Sequence, residues 1–330
     1  MTQQTNGTLG LNIKGQGQSA DNIVAYQIRL QAHTNLVMDE PKLAEMLLSP
    51  DPRDPRRRIT NRVIYRRSGD DHAHTKWAAV DFVGQIHDQA PPGCLLYLGN
   101  EPGRGSLELL ANWTISGMNA AYRLGRRAVI LNFELLAPHR SDWETVLARV
   151  VLQAKDQGHL LGLHAYFDRR VADTYRAVQH TLLPQEIFGA NCPEITITEL
   201  GAAIGMHPEN GYQGDVSSQA YGDELTECAR IYAERGITAQ VYMYGSWFDF
   251  GIQDDETVKD ALVAANQRYP VREVVVVADY KIGTVTATTD PNGANVREAA
   301  TTASAIKGTL KQDTIVSYRP TGISANGYTW

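Results

Sequence analysis

Cysteine is scarce in this chain of 330 residues, which holds three: Cys94, Cys192 and Cys228. They are odd in number and far apart, which excludes a disulfide scaffold and a paired-cysteine metal site. A chain this long can build a core without such staples. Long apolar runs are missing as well. No stretch approaches the ~18 residues of a membrane-crossing helix, and the mean hydropathy is -0.32, so no membrane insertion is expected. Positive charge is not in surplus either: 31 Lys and Arg face 37 Asp and Glu, a formal net charge of -6. A nucleic-acid backbone asks for the opposite sign, so no nucleic-acid partner is expected. The basic tract Arg53-Asp54-Pro55-Arg56-Arg57-Arg58 is broken by proline and acid and reads as a solvated loop face. The opening residues, Met1-Thr-Gln-Gln-Thr-Asn-Gly-Thr8, have neither a basic n-region nor an apolar core. No signal peptide is expected, and the protein is expected to stay inside, to leave by lysis or with a phage particle, or to have been trimmed.

What is present is a regular alternation of apolar runs and amphipathic stretches. Leu9–Ile13, Asn35–Met38, Arg62–Tyr65, Cys94–Leu98, Ala128–Phe133, Leu160–Tyr166, Glu194–Thr198 and Ala239–Tyr244 read as strands. Helices are expected over about 21–32, 41–48, 75–89, 107–124, 142–157, 171–183, 217–235 and 255–267. Continuous apolar strands, each followed by a helix, require a parallel sheet covered by helices. Eight such units in about 260 residues predict an α/β chain of the (β/α)₈, or TIM barrel, class. The competing open sheet would want a glycine-rich phosphate turn after its first strand. Gly15-Gln-Gly17-Gln lacks the third glycine, so the barrel is preferred. From about residue 271 the pattern changes to short β-branched runs between Gly, Pro, Asn and Asp. That predicts a small all-β module over 271–330 after a barrel over 1–270.

In such a barrel the chemistry belongs at the C-terminal ends of the strands. Strand four ends in Leu98-Gly99-Asn100-Glu101-Pro102 and strand seven in Thr198-Glu199-Leu200-Gly201. One glutamate at a strand end is usually an exposed loop residue. Two, on strands that converge across the mouth, suit glycosidic bond cleavage, where one carboxyl protonates the leaving oxygen and the other attacks or activates water. Glu194 begins its strand and belongs to the opposite face, and Glu108 opens a helix; Glu134, at the top of strand five, is a minor candidate. His72 and His74 have the look of metal ligands but lack a third, so no metal and no other cofactor is expected.

Asn100-Glu101-Pro102 together with Thr198-Glu199-Leu200-Gly201 resembles the retaining glycoside hydrolases of clan A. The resemblance implies Glu101 as acid/base, Asn100 as partner of the sugar 2-hydroxyl and Glu199 as nucleophile, about 5–5.5 Å apart as direct attack requires. It further implies His164 and Tyr166 of strand six beside the nucleophile, Trp247 after strand eight stacked on the sugar, and Arg66 after strand three near Glu199. Arg67 is expected to face outward into solvent, while Asp39 and Lys14 point to the cleft on position alone. Glu101, as the acid, is expected to have a raised pKa. The tail, with Ala294-Asn295-Val296-Arg297 and Gly327-Tyr-Thr-Trp330, resembles bacterial SH3-like domains. Ala294 stands where that family has leucine, and the family continues past the tryptophan into a closing strand. Such modules bind cell-wall ligands or serve as spacers. The expected function is therefore a glycosidase acting on a carbohydrate substrate, a polysaccharide or cell-wall glycan, in an extracellular, cell-surface or phage-associated setting. The alternative is a carbohydrate-binding or structural barrel without turnover.

Overall fold

The computed structural model describes residues 6–14, 19–102, 106–133, 138–172, 175–204, 211–244 and 251–271, followed by six short strands up to residue 329. It divides into two compact units, 1–274 and 275–330.

The first unit is a closed barrel of eight parallel strands. They are β1 (Leu9–Lys14), β2 (Thr34–Met38), β3 (Arg62–Arg66), β4 (Leu95–Leu98), β5 (Ala128–Phe133), β6 (Leu160–Phe167), β7 (Ile195–Ala202) and β8 (Thr238–Tyr244). Each pairs with its successor in sequence, and β8 returns to β1 in parallel register, Leu9 opposite Ala239. Closure removes every free strand edge. Alternation splits the strand residues into two cores. Leu36, Ile64, Leu95, Tyr97, Val129 and Leu160 form one cluster, filling the barrel from the β2–β6 side, while the larger cluster joins the strands to the helices. On the β7, β8 and β1 side the buried residues are polar: Thr196 bonds Thr238 and Gln240, and Asn12 donates to the Thr198 carbonyl. The pairing is incomplete: among the described residues the Asn12 Oδ1 and the Gln240 Nε2 are buried without a hydrogen-bond partner.

The helix beginning at Pro41 has the bounds its sequence predicts, with proline at the position where a missing N–H costs nothing. Two expected helices are each broken in two. Residues 75–89 resolve into Ala73–Lys76 and Ala79–Gln89, with Trp77 extended between them. Residues 142–157 resolve into Arg140–Glu144 and Ala148–Gln157. The sixth helix starts and ends later than expected, at Tyr175–Phe188, and carries Pro184 inside. The basic tract is not a loop: Asp54–Arg58 pairs antiparallel with Pro50–Asp51 as a small hairpin on the surface. Its arginines remain at the surface, Arg56 beside Asp54 at 2.9 Å.

The last helix latches the first strand. Asn266, on Glu256–Arg268, accepts from the Leu9 amide at 2.8 Å and donates to the carbonyls of Leu9 at 2.7 Å and Leu30 at 3.1 Å. In the second unit three antiparallel pairs are described: Lys281–Thr284 with Ile315–Tyr318, Ala294–Arg297 with Ile306–Leu310, and Ser324–Ala325 with Tyr328–Thr329. The expected run 274–277 lies outside the described residues.

Candidate active site

The turn after β4 is built to aim a side chain. Gly99 (φ 75°) and Glu101 (φ 40°) both adopt left-handed backbone, a conformation that costs a glutamate of order 1–3 kcal/mol. The surroundings hold it there. The Glu101 amide donates to the Asn132 carbonyl at 3.3 Å, and the Asn132 carboxamide donates to Gly99 at 2.9 Å. Asn132 can do this because β5 itself turns left-handed at Leu131 (φ 70°) and Asn132 (φ 30°). Across from it, β6 has glycine at 162. A Cβ there would lie 1.9 Å from the Asn132 Oδ1, so the side chain occupies space that only glycine leaves.

Glu101 and Glu199 meet across the mouth with His164 between them. One ligand atom from each of the three lies within 4.8 Å of the others. Glu199 is buried, its Oε1 taking a hydrogen bond from Arg66 at 2.8 Å and its Oε2 one from Tyr166 at 2.5 Å. Glu101 is the more open, its side chain 39% exposed against 6% for Glu199. Arg66 is fixed from behind by Asp70, both of whose oxygens lie 3.2 Å from Nε, and it approaches Asp71 at 3.4 Å. Asn100 donates to Asp71 at 2.8 Å and accepts from the Tyr97 hydroxyl at 2.7 Å; that hydroxyl in turn lies 3.3 Å from His164 Nε2. The side chains His164, Tyr97, Asn100, Asp71, Arg66 and Glu199 therefore form a closed polar ring around the floor of the cleft.

Protonation follows from this ring. Burial opposes the charge on Arg66, but Asp70, Tyr97 and Glu199 outweigh it and keep the guanidinium charged. Burial pushes the Asp70 carboxyl up to about 6, against the pull of Arg66. Tyr166, buried beside Glu199, is raised well above its ordinary value and stays a donor. Burial disfavours imidazolium at His164, yet Glu199 and Glu101 overcome that and raise its pKa. Its Nδ1 stands 3.3 Å from Glu101 and 3.5 Å from Glu199. The expected raised pKa of Glu101 is reversed. The His164 ring, acting against burial, draws the Glu101 carboxyl below its ordinary value. In the free protein the shared proton therefore favours the histidine. His180 supports this strand end: it is held neutral, its pKa lowered by burial to about 4, and its Nε2 lies 2.8 Å from the His164 carbonyl.

Glu101, Glu199, Asn100, Arg66, His164 and Tyr166 are thus brought together. Trp247 and Glu134 lie outside the described residues. Arg67 is not simply solvated: it bonds Gln85 and lies over the Trp77 ring at 5.8 Å. Asp39 accepts from the Ser68 amide at 2.9 Å and ties the loops after β2 and β3. Lys14 ends β1, where burial and Arg66 lower its pKa. Glu194 pairs with Arg62 at the start of β3, the opposite end of the barrel. Asp70, Asp71, Tyr97 and Tyr242, the last edge-on to Tyr166 at 5.9 Å, were not singled out from sequence as parts of this site. Asp70 and Asp71 lie in the loop after β3, beyond Arg67, Ser68 and Gly69, and were open to the same strand-end argument. Tyr97 and Tyr242 sit inside strand runs, where an aromatic reads as core.

Among the described residues, Glu101, His164 and Glu199 form the one cluster with the spacing to hold a metal ion. The Arg66 guanidinium against Glu199 already supplies fixed positive charge there, which disfavours adding a cation. A separate open pocket of about 880 Å³ lies between residues 212–218 and 251–257 and includes neither Glu101 nor Glu199.

No protein-family model matches the chain, and no curated protein matches it. Solved structures do. A glycoside hydrolase family 5 enzyme from Prevotella bryantii is 14% identical with a TM-score of 0.54, covering 79% of this chain and 96% of its own. An endo-β-mannanase/endo-β-glucanase of the same organism is 13% identical with a TM-score of 0.52, over 79% of this chain and 48% of its own. A β-glucuronidase from Bifidobacterium dentium is 12% identical with a TM-score of 0.51, over 78% and 46%. This chain therefore spans about half the length of the latter two. At such identities the likeness is one of fold, the barrel with its surrounding helices.

Proposed function

We propose that the chain is a retaining glycoside hydrolase acting on a polysaccharide or cell-wall glycan, with Glu199 as nucleophile and Glu101 as acid/base. The observation that carries this reading is the difference between two carboxylates that face each other. Glu199 is buried and takes hydrogen bonds from Arg66 and Tyr166, which fix its direction; Glu101 is open to the cleft. Glu199 attacks the anomeric carbon, Glu101 delivers a proton to the leaving oxygen and afterwards takes one from water. At rest Glu101 and His164 act as one titrating pair, and a bound sugar that excludes water moves their proton toward the carboxyl. Asn100, locked by Tyr97 and Asp71, has one amide hydrogen left for a sugar hydroxyl. Trp247 remains the proposed stacking partner. The fold is shared with glycosidases that include an endo-β-mannanase/endo-β-glucanase, which supports a glycan substrate. For residues 271–330 the reading is an SH3-like β module that takes a cell-wall ligand, resting on the landmark Ala294–Arg297 falling on a paired strand.

The test is turnover of aryl glycosides and purified polysaccharides by the wild type and Glu199→Gln side by side, followed by a fluorosugar inactivator and mass spectrometry. Added mass on the peptide holding Glu199 is expected. Label elsewhere changes the nucleophile. Glycan binding without any turnover turns the reading to a binding barrel.

A further inference from the structure

Asp71 stands on the wall of the cleft. Oδ1 takes the Asn100 amide at 2.8 Å and lies 3.4 Å from Arg66. Among the described residues no hydrogen bond reaches Oδ2, and the side chain is 57% exposed. The segment is fixed in place: Asp71 pairs with Asn100 as a β-bridge, and the Lys76 ammonium holds the Asp71 carbonyl at 2.8 Å. Two cations thus touch Asp71, and both are engaged. Lys76 is on its backbone, and Arg66 is turned inward among Asp70, Asp71 and Glu199. The charge of Asp71 also reaches the centre of the site. The Tyr242 phenol, edge-on to Tyr166 at 5.9 Å, is raised first by burial and then by Glu199, with Glu101 and Asp71 adding to it.

A rigid, open acceptor beside two carboxylates suits a hydroxyl donor and repels an anion. Enzymes that cleave neutral glycosides and those that cleave uronides can use the same pair of carboxylates. They must differ in what meets the sugar's own substituents, since a buried sugar carboxylate needs a cation. Here a third carboxylate stands at the cleft wall. Resting on the glycosidase reading above, we propose that Asp71 is a substrate-binding residue whose Oδ2 accepts from a sugar hydroxyl. It selects a neutral sugar over a uronic acid. Two like charges ~6 Å apart at an effective dielectric of ~20 account for a discrimination of roughly a hundredfold.

The full chain, as wild type and Asp71→Asn, is assayed on 4-nitrophenyl glycosides of glucose, mannose, galactose and xylose, and on the glucuronide and galacturonide. Reducing-end release from soluble β-glucan and glucomannan is compared in parallel with that from polygalacturonate and alginate. The wild type is expected to favour neutral probes by about a hundredfold. Asp71→Asn should lower kcat/KM on them about tenfold and narrow the neutral-to-uronic ratio by at least tenfold. A purely structural role, through Asn100 and Arg66, would lower both classes alike; an unchanged ratio therefore overturns the proposal. A wild type that prefers uronides overturns it as well and leaves the glycosidase reading standing. No turnover of any of these probes or of purified cell-wall glycan ends both. Asp71→Ser, which removes the charge and shortens the side chain, is measured beside it with circular dichroism as the check on folding. It should lose the discrimination as Asp71→Asn does, with a larger fall in the neutral rate.

Discussion

At the scale of residues, the cleft is governed by how few protons it holds among many acceptors. Tyr166 meets Glu199 at 2.5 Å, and a hydrogen bond to a charged group contributes about 1.5–3 kcal/mol. Under the glycosidase reading, Tyr166→Phe should lower kcat about 10- to 100-fold with a smaller change in KM, measured on an aryl glycoside. His164 gives the sharper prediction. Its pKa is raised, so its contribution to stability is complete below the ordinary 6.5 and fades as pH rises through the higher folded value. Glu101 is lowered, so its contribution is complete above the ordinary 4.5 and fades as pH falls through its folded value. Their attraction is fullest between those two ordinary values. With His164→Gln the last proton leaves a carboxyl rather than an imidazolium, so the basic limb of kcat/KM should move to lower pH. An unmoved limb would separate the histidine from the acid.

Elements show what the sequence made legible and what it hid. All eight barrel strands lie where their apolar runs predict, because a strand buried on both faces leaves little room for polar residues. Glu101 and Glu199 stood out because strand ends in a parallel barrel all open to one face, while Arg66, His164 and Tyr166 were named through the resemblance to clan A. What was hidden depends on contacts made after closure. The break at Trp77 has no proline or glycine to mark it; the Trp113 indole fixes it by donating to the Trp77 carbonyl at 2.8 Å. The left-handed backbone at Leu131 has no local signal either, since leucine rarely adopts it, and only Asn132 beside it is of a type that does. Nor does the sequence reveal that Glu101 has a histidine at 3.3 Å, which is why the sign of its pKa shift was missed. The latch at Asn266 belongs to this scale. Asn266→Ala leaves the amide and carbonyl of Leu9 and the carbonyl of Leu30 without that partner, and should cost about 2–4 kcal/mol in denaturant unfolding. A loss below about 0.5 kcal/mol would mean that the barrel closes without it.

For the whole molecule, the boundary at 274 separates a unit that closes on itself from one made of short strand pairs. The barrel's first strand and last helix are both inside the first unit, and its eight described strands close on one another. Residues 1–274 expressed alone should therefore unfold at the temperature of the full chain, and under the glycosidase reading keep its rate on a soluble substrate, checked by thermal denaturation and kinetics together. A large drop in melting temperature would show that the tail belongs to the barrel's stability.

The fit between Asn132 and Gly162 has an evolutionary corollary. The Asn132 carboxamide fills the place of the missing Cβ, so neither position is free to drift alone. Gly162→Ala should destabilise the barrel by about 1–3 kcal/mol through overpacking, while the same change with Asn132→Gly should recover part of that loss despite the forfeited bond to Gly99. Measured as a double-mutant cycle, the two should couple with opposite sign to their single effects. Descendants of this chain would then inherit the pair as one character, glycine with asparagine or a larger residue with a smaller one.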